Sequence, residues 1–261
     1  MNKPATGQSA TLWLIPTPLD LGTDSITPLE HIIPLETIRQ ASQITHWIVE
    51  NAKTARAVLK RFGEISPLTV PIQEMQIIEL PREVHKKGDT GFNARNLLQQ
   101  ASQGHDVGLM SEAGLPAIAD PGSSVVRAAY ELGMQIQSMV GPSSLLLALM
   151  GSGFNGQNFA FTGYLPKAGP EQIKRIKELE KLALQHNQTQ LFIETPYRNE
   201  ALLGTLIQTL QPQTMLSVAF GLTLPNAKQV SMKVSRWKSN FNHLNLNAEV
   251  IKLPAIFLLG Q

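Results

Sequence analysis

Ser111–Gly122 reads SEAGLPAIADPG, in which Gly114, Pro116, Pro121 and Gly122 bar regular structure and two carboxylates, Glu112 and Asp120, stand close in sequence. The apolar run before it predicts a buried strand, and VVRAAYELG after it predicts a helix, so the stretch is a long loop leaving a sheet. Neither GxxxxGK[ST] nor GxGxxG occurs, so it is not a phosphate cradle of those kinds. Two carboxylates repel a phosphate and suit a ligand with amino, hydroxyl or sulfonium groups. Small residues let backbone groups approach that ligand closely. Glu50 and Glu194 end apolar runs and, with Glu112, Asp120 and Tyr197, are the groups able to take a proton from an acceptor hydroxyl. Each also has a structural reading. Glu112 and Asp120 can brace their loop, Glu194 can brace the turn at Thr195-Pro196, and Glu50 can pair with Lys53 or Arg56. The six histidines lack metal spacing and read as surface or loop residues, so no metal is implied.

These groups need a scaffold. Strand-like runs at Leu12–Ile15, Trp47–Val49, Met75–Leu80, Val107–Met110 and Met134–Val140 alternate with helical spacing. The helices are expected over His31–Gln43, over Thr54–Phe62 with Gly63 as its end, and over Phe92–Ser102 with Gly104 as its stop. A fourth is capped by Ser123 or Ser124 and ended by Gly133. This order predicts βαβ units and a parallel sheet. Ligands of such sheets bind outside the carboxyl ends of the strands. Breaker-rich segments follow three of those ends, at Pro16–Gly22, Ser111–Gly122 and Gly141–Ser144, which predicts that all three lie on one edge. Beyond Gly141 a short apolar helix (LLLALM) is followed by strands at Phe159–Thr162, Gln190–Glu194, Leu216–Phe220 and Pro254–Leu259, with helices at Glu171–His186 and Asn199–Leu210. Patterning from Gly221 to Leu253 is too weak to assign. The expectation is an α/β protein, with a parallel-sheet domain over 10–140 and a mixed-sheet domain over 141–261, and the ligand in a cleft between them.

Pro16-Thr17-Pro18, SEAGLPAIADPG, Gly141-Pro142-Ser143, FTGYLP at Phe161–Pro166 and ETPYR at Glu194–Arg198 occur in that order. Together they resemble the tetrapyrrole methylase superfamily, and within it the branch of ribosomal RNA small subunit 2′-O-ribose (cytidine) methyltransferases. The resemblance runs from Leu12 to Gly260. It implies two αβα domains, S-adenosyl-L-methionine as cofactor, and a homodimer. Carried over by matching position, it implies cofactor contacts from Pro16, Glu112, Ala113, Gly114, Leu115, Pro116, Asp120, Ser143, Ser144, Phe161, Thr162, Gly163, Ile193, Leu222, Pro254 and Ala255. Thr17, Arg56, Tyr197 and Arg198 would face the substrate, and Glu50 and Glu194 are the candidate catalytic acids. The chain departs from the branch where the acceptor is held. A-E-D-T-R-H-T-R becomes Val49–Arg56 (VENAKTAR), R-E-L-T-K becomes Phe220–Leu224 (FGLTL), and P-I-G-N-L becomes Pro18-Leu19-Asp20-Leu21-Gly22. In this it looks like a short-form subgroup of methyltransferases.

Composition bounds the rest. In 261 residues, 43% hydrophobic and 16% charged, there is enough apolar material for a sizeable core. Lys+Arg 22 against Asp+Glu 20 does not announce a nucleic-acid binder. The absence of cysteine removes thiolate catalysis and Cys-based zinc sites and suits a reducing compartment. The polar start MNKPATGQSA does not read as a signal peptide, and no apolar run reaches membrane-span length, so a cytoplasmic protein is expected. KRIKELEKLALQH reads as a solvated helix face. Lys228, Lys233, Arg236 and Lys238 with Trp237 form a candidate RNA-facing cluster, and Met75, Met110, Met139 and Met150 are expected in the core. The leading reading is a methyltransferase acting on RNA or the ribosomal small subunit. A small-molecule, tetrapyrrole-like acceptor and a non-catalytic cofactor-binding module are the alternatives.

Overall fold

The computed structural model describes residues 10–20, 22–240 and 246–261, with backbone alone at 85–87 and 240. The start of the N-terminal segment and His85 and His243 therefore lie outside the described side chains. The chain divides into two compact units, one over the described residues before position 21 with Thr27–Pro142, the other over Gly22–Ile26 with Ser143–Gln261.

In the first unit, β1 (Thr11–Leu14), β2 (His46–Val49), β3 (Gln76–Glu79), β4 (Val107–Met110) and β5 (Gln135–Ser138) form one sheet in the order β3-β2-β4-β1-β5. Every pairing is parallel. Side chains alternate between its faces. Leu12, Ile48 and Leu109 join the core beneath α4 (Ser123–Glu131). Trp47, Val49 and Met110 join the one beneath α1 (Leu35–Gln43) and α2 (Ala52–Ile65). The central strands are apolar because both faces are covered; the edge strands QIIE and QIQS are mostly exposed.

Several boundaries differ from the sequence expectation, each for a local reason. The helix expected from His31 begins at Leu35, because Pro34 takes its cap position after a 3-10 turn at Leu29–His31. Gly63 does not end α2, which runs on to Ile65; at the other end Asn51 caps it by accepting the N–H groups of Lys53 and Thr54. The stretch after Phe92 is a 3-10 segment, Arg95–Gln103, broken at Leu98 and closed by Gly104 in the left-handed region. A short helix, α3 (Arg82–Lys87), was not expected. Neither Ser123 nor Ser124 caps α4, whose cap position is Gly122. His46 is not on a loop but in β2, stacked on His105 at 4.3 Å. Burial and that neighbouring ring hold its pKa below the usual histidine value.

The second unit holds a mixed sheet, β6 (Phe159–Tyr164), β7 (Thr189–Glu194), β8 (Met215–Phe220), β9 (Lys228–Lys233) and β10 (Ala255–Gly260), in the order β6-β7-β10-β8-β9. Only β6 and β7 run parallel. One face packs on α6 (Pro170–His186), α7 (Asn199–Thr209), α8 (Val234–Asn240) and α9 (Ala248–Ile251) through Ile176, Leu203, Phe257 and Trp237. The other packs on α5 (Ser144–Ser152) through Leu145, Leu149, Ile256 and Leu258. The unassigned stretch after Gly221 thus supplies β9, α8 and α9. Two expectations fail here. Trp237 is fully buried and donates Nε1–H to Leu216 O at 2.9 Å, so it cannot stack on a base. Met150 is 78% exposed on α5 and is not core. The α6 face is not wholly solvated either, since buried Glu180 accepts Gln211 N at 2.8 Å and Thr214 Oγ1 at 2.6 Å.

Candidate active site

Because β1, β2, β4 and β5 are parallel, the segments after them leave from one edge of the first sheet. The structure then joins these segments. Thr17 N donates to Gly114 O at 2.9 Å and Gly114 N to Thr17 O at 3.2 Å, while Thr17 Oγ1 reaches the Ser111 and Gly114 carbonyls at 3.4 Å. Thr17 is fully buried, so it fastens the Pro16-Thr17-Pro18 turn to the Ser111 loop and does not line an open surface. A Cβ on Gly141 would lie 2.2 Å from Pro16 Cβ, so only glycine lets the third segment approach this closely.

The loop itself is strained. Gly114 has φ +79°, and Ala117 and Ala119, which carry Cβ atoms, sit at φ +64° and +66°. Left-handed non-glycine residues cost on the order of 1–3 kcal/mol each and persist only where surroundings fix them. Asp89 is one such fixture. Buried behind the loop, it accepts Gly122 N at 2.8 Å, Ser124 N at 2.9 Å, Ser123 Oγ at 2.5 Å and Ser124 Oγ at 3.0 Å. Burial opposes its charge, but these hydrogen bonds prevail and hold its pKa below the usual carboxylate value. It supplies the anionic cap that the serines do not. Arg61 fixes a different segment, the one after β1: it pairs with Asp20 at 3.1 Å and donates to Thr27 O at 2.7 Å. Sequence reasoning missed both residues. The G-D-T-G turn at Gly88–Gly91 was a signal for Asp89; Arg61 gave none beyond its place on α2.

Carboxylates gather on the same edge. Glu50 Oε2 accepts Glu112 N at 2.9 Å, and Glu112 Oε1 accepts Thr54 Oγ1 at 2.8 Å. Glu79 Oε1 accepts Ala52 N at 2.6 Å at the start of α2. Asp120 is the group that yields: burial first, then the charges of Glu50 and Glu112, push its pKa up to about 7. Arg56 is exposed on α2. Ser111 Oγ is buried and has no hydrogen-bond partner among the described residues.

In the second unit the sequence-predicted residues meet at one end of the mixed sheet. Ala255 pairs with Glu194 and with Phe220, and Gly221 N donates to Pro254 O at 2.8 Å. β6 shifts register between Phe161 and Tyr164, with Gly163 at φ +70° and Thr162 Oγ1 bonded to Leu191 O. Phe161, Ile193 and Leu222 pack around the cluster that seats α5, which Ser143 and Ser144 begin. Glu194 Oε1 accepts Thr195 N at 2.7 Å and Arg198 Nε at 2.9 Å, and Arg198 lies 2.6 Å from it in an ion pair whose acid is buried and whose base is partly exposed. These contacts are those of a turn brace. Among the described residues no cluster of acids and histidines can hold a metal, and no helix is long and apolar enough to cross a membrane.

Two such units, a parallel sheet followed by a mixed one, define an architecture seen in solved methyltransferases. The methyltransferase CobJ matches with a TM-score of 0.55 at 17% identity, covering 98% of this chain and 95% of that one. Cobalt precorrin-4 methyltransferase CbiF matches at 0.52 with 15% identity, covering 96% and 94%. At such identities the likeness is one of fold. No family model matches the chain. Among curated relatives, ribosomal RNA small subunit methyltransferase I of Thermotoga maritima is 33% identical over 165 residues, 60% of this chain and 70% of that protein. The protein of that name from Mesorhizobium japonicum is 29% identical over 220 residues, 84% and 66%. That of Bacillus subtilis is 25% identical over 205 residues, 76% and 59%. The matched stretches thus span from 59% to 70% of these relatives' lengths. The chain belongs to the ribosomal RNA small subunit methyltransferase I family, and its fold is that of the methyltransferases CobJ and CbiF.

Proposed function

We propose that this chain transfers a methyl group from S-adenosyl-L-methionine to a ribose 2′-hydroxyl of small-subunit ribosomal RNA, working as a cytoplasmic homodimer. The observation that carries the cofactor is the acidic, left-handed loop on the carboxyl edge of the first sheet. Its chemistry fits the ligand: carboxylates for a sulfonium cation and an amino group, a buried unpartnered Ser111 Oγ, and a Gly114 whose missing Cβ leaves room beside Leu19. A uroporphyrin-III C-methyltransferase of the same fold is known in complex with S-adenosyl homocysteine. The relatives' names supply the acceptor.

On this reading the cofactor contacts expected in the first unit are Pro16, the Glu112–Pro116 loop and Asp120. Those expected in the second unit are Ser143, Ser144, Phe161–Gly163, Ile193, Leu222, Pro254 and Ala255. When bound, the cofactor supplies an already activated methyl group. The chain's task is orientation, exclusion of water and removal of one proton. A ribose hydroxyl is a weak acid, and a base with a pKa near the working pH serves it best. Asp120, raised to about 7 by burial and by Glu50 and Glu112, meets that condition; Glu50 sustains it. Lys233, Arg236 and Lys238, exposed on β9 and α8, and Arg56 on α2 offer cations for phosphates.

Mapping ribose methylation in small-subunit RNA from wild-type and deletion strains tests the proposal. Loss of one 2′-O-methyl in the deletion strain, restored by the gene, is expected. An unchanged map would remove RNA from the reading.

A further inference from the structure

The turn after β7 combines an exposed ring with a rigid base. Thr195-Pro196-Tyr197-Arg198 folds as a 3-10 turn, Pro196–Arg198, with Pro196 at its first position and Arg198 N bonded to Thr195 O at 2.8 Å. Tyr197 is 78% exposed; Tyr130 and Tyr164 are exposed as well, and what sets Tyr197 apart is the fixed cation beside its ring. The Arg198 guanidinium lies 5.5 Å from its ring centroid. That guanidinium cannot wander: Nε donates to Glu194 Oε1 and Thr195 Oγ1, each at 2.9 Å, and Glu194 is itself buried. A cation under one face of a ring fixes it and leaves most of the ring to solvent. The turn stands at the end of the mixed sheet that also carries Phe161–Gly163, Ile193, Leu222, Pro254 and Ala255.

We infer that Tyr197 is a stacking platform for an unpaired nucleobase of the acceptor RNA, held in pose by Arg198 and through it by Glu194. This deepens the reading above and rests on it. Proteins that bind single-stranded RNA stack its bases on exposed aromatic rings, because every base has a π-face. The competing use of Tyr197 is to shield the Glu194–Arg198 pair. That role asks for bulk and makes no demand on RNA. Stacking asks for a flat ring, and its contribution, unlike that of a lysine, does not vary with salt.

The test uses the full chain and unmodified small-subunit RNA transcribed in vitro. Tyr197→Ala should weaken RNA binding, and raise KM for it, by about 5- to 100-fold while leaving the salt slope and the cofactor affinity unchanged. Tyr197→Phe should restore binding, since the ring and not the hydroxyl is used. Tyr197→Trp should bind well and show a fluorescence quench on RNA addition that the wild type, with Trp13, Trp47 and Trp237 alone, does not show. Normal binding by Tyr197→Ala, a Tyr197→Phe variant as weak as the alanine one, or no quench in Tyr197→Trp would overturn the inference. If the wild type itself neither binds nor methylates the RNA, it is the acceptor assignment that fails.

Discussion

The two sheets of this chain concentrate opposite charges, and their topologies explain how. In the first unit every strand runs the same way, so the segments after β1, β2, β4 and β5 emerge on one edge and bring Glu50, Glu112 and Asp120 together. In the second unit the strands mostly alternate. From Ala201 to Gln261 the sequence carries Lys228, Lys233, Arg236, Lys238 and Lys252 against the single acid Glu249. Lys233 pairs with Met215, at the opposite end of the sheet from Phe220 and Lys228, and α8 continues from it. Its buried Trp237 and Val234 anchor α8, whose other side presents Arg236 and Lys238. An acidic edge suits a small cation, and a basic one suits a polyanion. The difference suggests that cofactor and RNA affinities are separable by substitution.

The largest expected effect is on the acidic side. Gly114→Val puts a branched side chain where φ is +79° and where even a Cβ would lie 3.2 Å from Leu19. Cofactor binding should fall by more than about 100-fold, given a local strain of order 1–3 kcal/mol plus the filled space. Circular dichroism should still show a folded chain. Wild-type calorimetry from this variant would mean the loop is only a spacer.

The basic side should respond next. Replacing Lys233, Arg236 and Lys238 by Gln should lower the slope of log K against log salt by about 2 and weaken RNA binding by roughly 100-fold near 0.1 M salt. Calorimetry with the cofactor should not change. A parallel triple change at Lys174, Lys177 and Lys181 of α6, where Glu171 and Glu178 are interleaved, should move the slope less. Equal responses from the two sets would erase the proposed division.

Smaller effects separate two aspartates of the first unit. Asp89→Ala removes the cap of α4 and should cost about 2–3 kcal/mol, read as a lower Tm. Its folded pKa is depressed, so its contribution is present above the ordinary carboxylate pKa and is lost on acidification. Asp120 behaves in reverse. Its folded pKa is raised to about 7, so its favourable term is complete in acid and is lost as pH rises through neutrality. Asp120→Asn should therefore be the more stable protein above pH ~7, by about 1–2 kcal/mol after allowance for solvent reaching the group. It should also remove a break near neutrality in the pH–rate profile. Unfolding curves that run parallel with pH would contradict the acidic cluster.

Much of this was readable in the residues. Apolar runs such as VGLM and QLFIE locate central strands because both sheet faces are covered, and breaker loops mark the carboxyl edge because βαβ units leave little choice. Gly114 stands out because a residue without Cβ in so permissive a loop suits either a close ligand or a left-handed backbone, and it sits at φ +79°. What stayed hidden depends on distant partners. Asp89 acts on a helix more than thirty positions away, and Arg61 on Asp20. Trp237 looked like an RNA contact because its neighbours are cations, but spacing in a short helix puts it with Val234 in the core. The described part of the weakly patterned stretch after Gly221 holds an edge strand and two short helices, elements too brief to show a period.

The central claim is a methyl group moved from a cofactor held by the acidic edge to a ribose of RNA. The direct measurement is transfer of labelled methyl from S-adenosyl-L-methionine to unmodified small-subunit RNA, followed by alkaline hydrolysis. A methylated 2′-oxygen cannot attack the neighbouring phosphodiester, so the account predicts label in one alkali-resistant dinucleotide. Label in a mononucleotide, in a small molecule or nowhere would contradict it.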